Sequence, residues 1–84
     1  MIERFLNKHR QVSVWPAKDA GRVVVLEYLI EKFDRGTSYS EVEVNQILKQ
    51  WHTFEDWALL RRELFDRGHF EREPDGTRYS RTSL

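Results

Sequence analysis

Apolar residues recur at helical spacing in three long stretches of the chain. Leu26, Leu29, Ile30 and Phe33 fall at i, i+3, i+4 and i+7, so the spacing predicts an amphipathic helix over about residues 18–33. Val23 and Val25 widen its stripe. The run Val23-Val24-Val25 is a poor helix former, so tertiary burial has to hold this helix. Asp19 suits the positive end of the helix dipole, and Gly36, after Asp34-Arg35, is a left-handed stop. Val44, Ile47, Leu48 and Trp51 form a second stripe. It opens with a capping box: Ser40 accepts from the Glu43 amide, Glu43 reaches back to the Ser40 amide, and Tyr39 is placed to staple onto Val44. The third stripe is Trp57, Leu60 and Leu64, with Phe65 at its edge, in a helix over residues 55–67. His52-Thr53 reads as a tight connection, with Thr53 as N-cap, Glu55 and Asp56 in the first turn, and Gly68 closing the helix. Arg61, Arg62, Glu63 and Arg67 lie off that stripe, Glu63 and Arg67 as an i,i+4 pair.

The shorter patterns complete the picture. Ile2, Phe5, Leu6 and His9 predict a helix over residues 2–9, too short to stand alone. It either covers the domain's own core or pairs two copies of the chain. Val12-Ser13-Val14-Trp15 is β-prone and stops at Pro16, as an extended connector or edge strand does, with Trp15 on the surface. Thr37-Ser38-Tyr39 reads as a stub strand. Residues 69–81 read as a β-hairpin turning at Pro74-Asp75-Gly76. A two-residue Asp75-Gly76 turn would ask Pro74 for an N–H it lacks, so a three-residue loop is expected. That register sets Glu73 against Thr77, Arg72 against Arg78 and Glu71 against Tyr79. Facing arginines call for a nearby anion, either a phosphate, Glu71 or a helix carboxylate. Ser80–Leu84 is expected to fray.

These elements predict a mainly α fold with a small antiparallel β-hairpin (α+β), a winged helix-turn-helix with an extra N-terminal helix. Residues 1–11 would be that helix and residues 12–84 the winged domain. Two helices joined by two or three residues cannot lie flat, which is what makes residues 41–67 a helix-turn-helix.

Composition narrows the function classes. The 14 basic residues match the 14 acidic ones, whereas nucleic-acid binders usually carry a basic excess. The charges are unevenly spread: residues 1–22 hold five basic and two acidic residues, and the remainder nine and twelve. With no cysteine, neither a disulfide nor a thiolate metal site is available. No apolar run approaches the ~20 residues that span a bilayer, and the N-terminus lacks a secretory apolar core, so a cytoplasmic chain without a membrane partner is expected. The serines lack a nucleophile-elbow context, no glycine-rich phosphate loop occurs, and His9, His52 and His69 have no metal-ligand spacing. No enzyme activity and no cofactor is expected, and the three histidines read as surface residues.

Two runs carry a family resemblance. One is Asp56-x-Ala58-x-Leu60-Arg61-Arg62-x-Leu64-x-Asp66-x-Gly68, followed by Arg72, Gly76 and Tyr79. The other is Phe33-x-x-Gly36-x-x-Tyr39-x-Glu41-x-Glu43-Val44-Asn45-x-x-Leu48. Over about residues 14–81 the chain resembles the bacterial family known as domain of unknown function 2087. The resemblance implies a winged helix-turn-helix that often accompanies the DNA-binding domain of a transcription regulator. It supplies no ligand or activity.

Two functional expectations follow. In the first, helix 55–67 and the wing 69–81 contact double-stranded DNA, with Arg61, Arg62, Arg67, Arg72, Arg78 and Arg81 as the phosphate- or base-binding residues. In the second, the same fold is a protein-interaction or dimerisation module, which its neutral charge and the aromatics Trp15, Trp51, Phe54 and Trp57 would suit. Arg61 and Arg62 then have structural partners such as Glu43, Asp56, Asp66 or the face of Trp57. A homodimer through residues 2–9 is compatible with either.

Overall fold

The computed structural model describes residues 2–82. Three helices, α1 (Asp19–Ile30), α2 (Glu41–Trp51) and α3 (Trp57–Asp66), pack with three short strands, β1 (Tyr39–Ser40), β2 (Phe70–Arg72) and β3 (Arg78–Arg81). The strands form one antiparallel sheet in the order β1-β3-β2. Each helical stripe delivers core residues: Val25, Leu26, Leu29 and Ile30 from α1, Val44 and Leu48 from α2, Leu60 and Leu64 from α3. Phe33 is buried although α1 ends three residues earlier. Its ring meets Tyr39 and Phe70 edge-on, joining α1 to the sheet. Of the valine run, Val25 is buried and Val23 lies outside the stripe, 38% exposed.

Local chemistry sets the element ends. The capping box forms in both directions, Glu43 N–H to Ser40 Oγ at 3.1 Å and Ser40 N–H to Glu43 Oε1 at 2.7 Å. The second bond holds the Glu43 carboxyl below its ordinary pKa. Gly36, at φ 78°, makes the turn between α1 and β1. Gly68, at φ 85°, carries the chain from α3 into β2, and the His69 N–H closes the helix on Leu64 O at 2.9 Å.

The N-terminal helix expected over 2–9 is a four-residue 3-10 helix, Ile2–Phe5. Asn7 ends it, because its Oδ1 accepts the N–H groups of His9 and Gln11 at 2.9 Å each and captures the backbone in a turn. Arg10, at φ 67°, reverses the chain so that Leu6 and Val12 bridge. Ile2, Phe5 and Leu6 pack against the chain's own core. Residues 2–6 thus pack with the rest of the described chain; Met1 lies outside the described residues.

The connection between α2 and α3 is longer than expected. Val12, fully buried, donates its N–H to Trp51 O at 2.8 Å and accepts from the Thr53 N–H at 3.0 Å. His52 is buried, not a surface residue: Nδ1 lies 2.5 Å from Leu48 O, and Nε2 accepts from the Asp56 N–H at 2.9 Å. This pair of bonds requires the neutral ring with its proton on Nδ1. Glu55 adopts φ 52°, and the N-cap is Asp56, which accepts from the Leu59 N–H, not Thr53. The turn is drawn to Val12 and His52, so α3 starts at Trp57.

The hairpin differs from the expected register by one residue. The pairs are Phe70 with Arg81, Glu71 with Ser80 and Arg72 with Tyr79. The Glu73 N–H donates to Arg78 O, and the Gly76 N–H turns back to Glu73 O at 2.7 Å, so Pro74–Thr77 is a four-residue loop. Asp75 sets it by accepting both the N–H and the hydroxyl of Thr77, which lowers its carboxyl pKa. The facing arginines vanish. The shift also buries Phe70 and Tyr79 on the core side. Ser80 and Arg81 belong to β3, and Thr82 bonds back to His69 O and Gly68 O, so residues 80–82 do not fray; Ser83 and Leu84 lie outside the described residues.

Two outcomes test this account. His52→Ala orphans the Asp56 amide and Leu48 carbonyl and should lower unfolding stability in urea by about 1–3 kcal/mol. Asp19, held low by its Arg67 hydrogen bond, joins Glu43 and Asp75 as a carboxylate whose folded pKa is depressed. Their stabilisation is complete above the ordinary range of about pH 4 and is lost as pH falls through the lowered values. Melting temperature should therefore drop below about pH 4, less steeply in Glu43→Gln.

Candidate functional site

The six arginines expected to contact DNA separate into two groups. Arg61 turns toward α2, where Nη1 donates to Asn45 Oδ1 at 2.5 Å and Nε lies 3.8 Å from Glu41 Oε1. Its structural partners are thus Asn45 and Glu41, outside the set Glu43, Asp56, Asp66 and Trp57 expected from the sequence. Arg67 bonds Glu63 at 2.8 Å within α3 and Asp19 at 2.6 Å at the start of α1, which raises its own pKa. It ties one end of α3 to α1. Arg78 donates to Ser38 Oγ and Ser38 O, fastening β3 to the segment ahead of β1. Arg81, with its side chain 9% exposed, donates to Phe33 O at 3.1 Å and lies 3.6 Å from Glu31. These four guanidiniums hold the fold together.

Arg62 and Arg72 remain. Arg62 is exposed on α3 and has no ion pair or side-chain hydrogen bond among the described residues. Arg72 lies over the ring of Phe65, 4.6 Å from its centroid, and its guanidinium makes no hydrogen bond or ion pair among the described residues. Both line a groove of about 360 Å³ between α3 and the hairpin. The groove also takes in Arg61, Phe65, Glu41, Asp66 and Tyr79. Tyr79 donates its hydroxyl to Glu41 Oε1 at 3.4 Å, so Glu41 faces two donors at one wall.

The electrostatics of this face are mixed. Glu41 and Asp66 stand beside the two unspent arginines, and the hairpin exposes Glu71, Glu73 and Asp75. The arrangement can bind a carboxylate or phosphate oxygen at Arg62 and Arg72 and a cation at Asp66. Among the described residues, no cluster of three His, Asp or Glu side chains could hold a metal, and no helix is long and apolar enough to cross a membrane.

Asn45 and Phe65 were not foreseen as parts of the site. Asn45 is a polar residue on a helix face, and nothing in its spacing says that a guanidinium from another helix will reach it. Phe65 showed only as a stripe edge. Its adjacency to Arg72 depends on the hairpin register.

The division of labour has a measurable consequence. Arg61→Ala leaves the half-buried Asn45 amide unpaired and should cost about 1–2 kcal/mol in denaturant unfolding, whereas Arg62→Ala should stay within about 0.5 kcal/mol of the parent.

No curated protein and no solved structure matches the chain. A family model does match, over residues 11–81, and spans α1 to β3 with the whole groove. The chain belongs to the family described as an uncharacterized protein conserved in bacteria (DUF2087).

Proposed function

We propose that this is a winged helix-turn-helix domain of a transcription-regulator system that docks on a protein partner through α3 and the hairpin. The fold reading is supported by element order. Helix α2, a bent connection and α3 make the helix-turn-helix, the β2-β3 hairpin follows as the wing, and β1 pairs with β3 as the stub strand does in such domains. The role reading rests on one observation. Four of the six candidate arginines are engaged by the chain's own groups, the two left share their groove with the carboxylates Glu41 and Asp66, and the neighbouring hairpin exposes three more, Glu71, Glu73 and Asp75. A duplex surface carries one negative charge per about 1.7 Å of axis and would be repelled by that set. A protein surface with interleaved charges would be matched by it.

Direct DNA contact is the second reading, favoured by the exposed, unspent guanidiniums of Arg62 and Arg72. Two phosphate contacts would make affinity fall about tenfold between about 50 and 200 mM salt. Fluorescence anisotropy with a labelled mixed-sequence duplex separates the two. Protein docking predicts no saturable binding at the lower salt. Saturable binding with that salt slope, abolished in Arg62→Ala/Arg72→Ala, would instead establish the DNA reading.

A further inference from the structure

A second groove, of about 560 Å³, lies between the N-terminal segment and the start of α1 and shares no lining residue with the α3–hairpin groove. Phe5, Val14, Trp15 and Pro16 give it apolar walls, and Val14 is 46% exposed. Gly21 lets α1 approach them closely, since a Cβ there would sit 2.7 Å from Pro16 Cβ and 3.0 Å from the Phe5 ring. The walls are fixed from behind. Ser13 donates its N–H and its hydroxyl to Phe5 O at 2.9 and 3.3 Å. Arg22 donates to Pro16 O at 2.8 Å and lies 5.2 Å from the Trp15 ring centroid. The groove is thus shaped before anything enters it, which lowers the cost of binding.

Its charge is one-sided. Arg4 and Lys18 line it, and no carboxylate does. Neither cation makes an ion pair or a side-chain hydrogen bond among the described residues, and Arg4 overlies the Phe5 ring at 5.1 Å from the centroid. Asp19 follows Lys18 in sequence but is bonded to Arg67 at 2.6 Å. The α3–hairpin groove differs, because Glu41 and Asp66 stand there among the arginines. Two unpaired cations beside apolar walls suit a ligand with an apolar body and a negative group.

Size narrows the occupant. Among the described residues nine line the groove, whereas a stable protein interface takes about 20–30 residues a side. Its volume falls within the range of about 300–1,000 Å³ usual for small-molecule sites.

We propose that this groove binds a small organic acid, an apolar, ring-sized body carrying one carboxylate. The body lies against Phe5, Trp15 and Pro16, and the carboxylate pairs with Arg4 and Lys18. A nucleotide is a poorer match. The polar side chains of the lining are Arg4, Lys18 and Trp15, all donors, so the amino group of a base finds no side-chain acceptor.

The test uses the full chain, labelled with nitrogen-15, and naphthalene-2-carboxylate as the probe. Trp15 lines the groove and Trp51 and Trp57 do not, so its indole N–H, assigned with Trp15→Phe, reports on the site. Saturable shifts of the Trp15 indole and the Gly21 amide are expected, with the neutral naphthalene-2-carboxamide about tenfold weaker. Arg4→Gln/Lys18→Gln should weaken the carboxylate by about tenfold and leave the carboxamide unchanged. Lys18→Gln alone should weaken the carboxylate less and serves if the double variant does not fold. The proposal is overturned if the carboxylate gives no saturable shift at these two groups, if the carboxamide binds as tightly, or if removing the charges leaves the affinity unchanged. It is equally overturned if the shifts centre on α3 and the hairpin, if adenosine monophosphate binds the groove more tightly than the probe, or if the same signals move with protein concentration alone. Because the grooves share no residue, a failure here leaves the duplex-anisotropy result standing on its own.

Discussion

The position of α3 depends on how the α2–α3 connection is tied to Val12 and His52. Val12 bonds the chain on both sides of His52, and the imidazole spans from the last turn of α2 to the amide of Asp56, the N-cap of α3. Neither contact is large in energy, since each hydrogen bond is worth about 1 kcal/mol net. Their effect is geometric: they choose which residue begins α3. That choice fixes the phase of the helix, and with it the burial of Leu60 and Leu64, the reach of Arg61 to Asn45, and the outward direction of Arg62. The hairpin leaves α3 through Gly68, so its placement is inherited from the same tie.

This tie makes the N-terminal segment part of the domain. Val12 is as deeply buried as any helix residue, and the bridge to Leu6 carries Phe5 and Ile2 onto the core. The segment thus supports the helix connection with one residue and forms the wall of a groove with its neighbours. Arginine plays a matching double part. Arg67, Arg78 and Arg81 join elements distant in sequence, which a chain with a small core requires, and only what is left over is available to a partner.

Much of the architecture could be read from spacing and end-signals. The three stripes, the Ser40–Glu43 box and the stop at Gly36 are local, and local physics decides them. The misread features involve partners far along the chain. Thr53 has the right side chain for a cap, but its N–H is taken by Val12, forty-one residues earlier. His52 lacked any local sign of burial because both its partners are backbone groups. The hairpin sits one residue away from the register a three-residue Pro74–Gly76 loop would impose, because the Asp75–Thr77 bonds stabilise a four-residue loop. The arginines were legible as a set but not as individuals: whether each is spent depends on which acceptor the fold brings within reach, as Asn45 and Ser38 show.

Strand order carries a consequence for how the chain is made. β3 is last in sequence yet central in the sheet, between β1 and β2. While a ribosome is still holding residues 78–81, β1 and β2 have no common neighbour, and the rings of Tyr39 and Phe70 lack the Tyr79 side of their enclosure. The three helices all precede β3 in sequence and can pack on one another before it arrives. The sheet therefore closes only once β3 is available to pair with both β1 and β2.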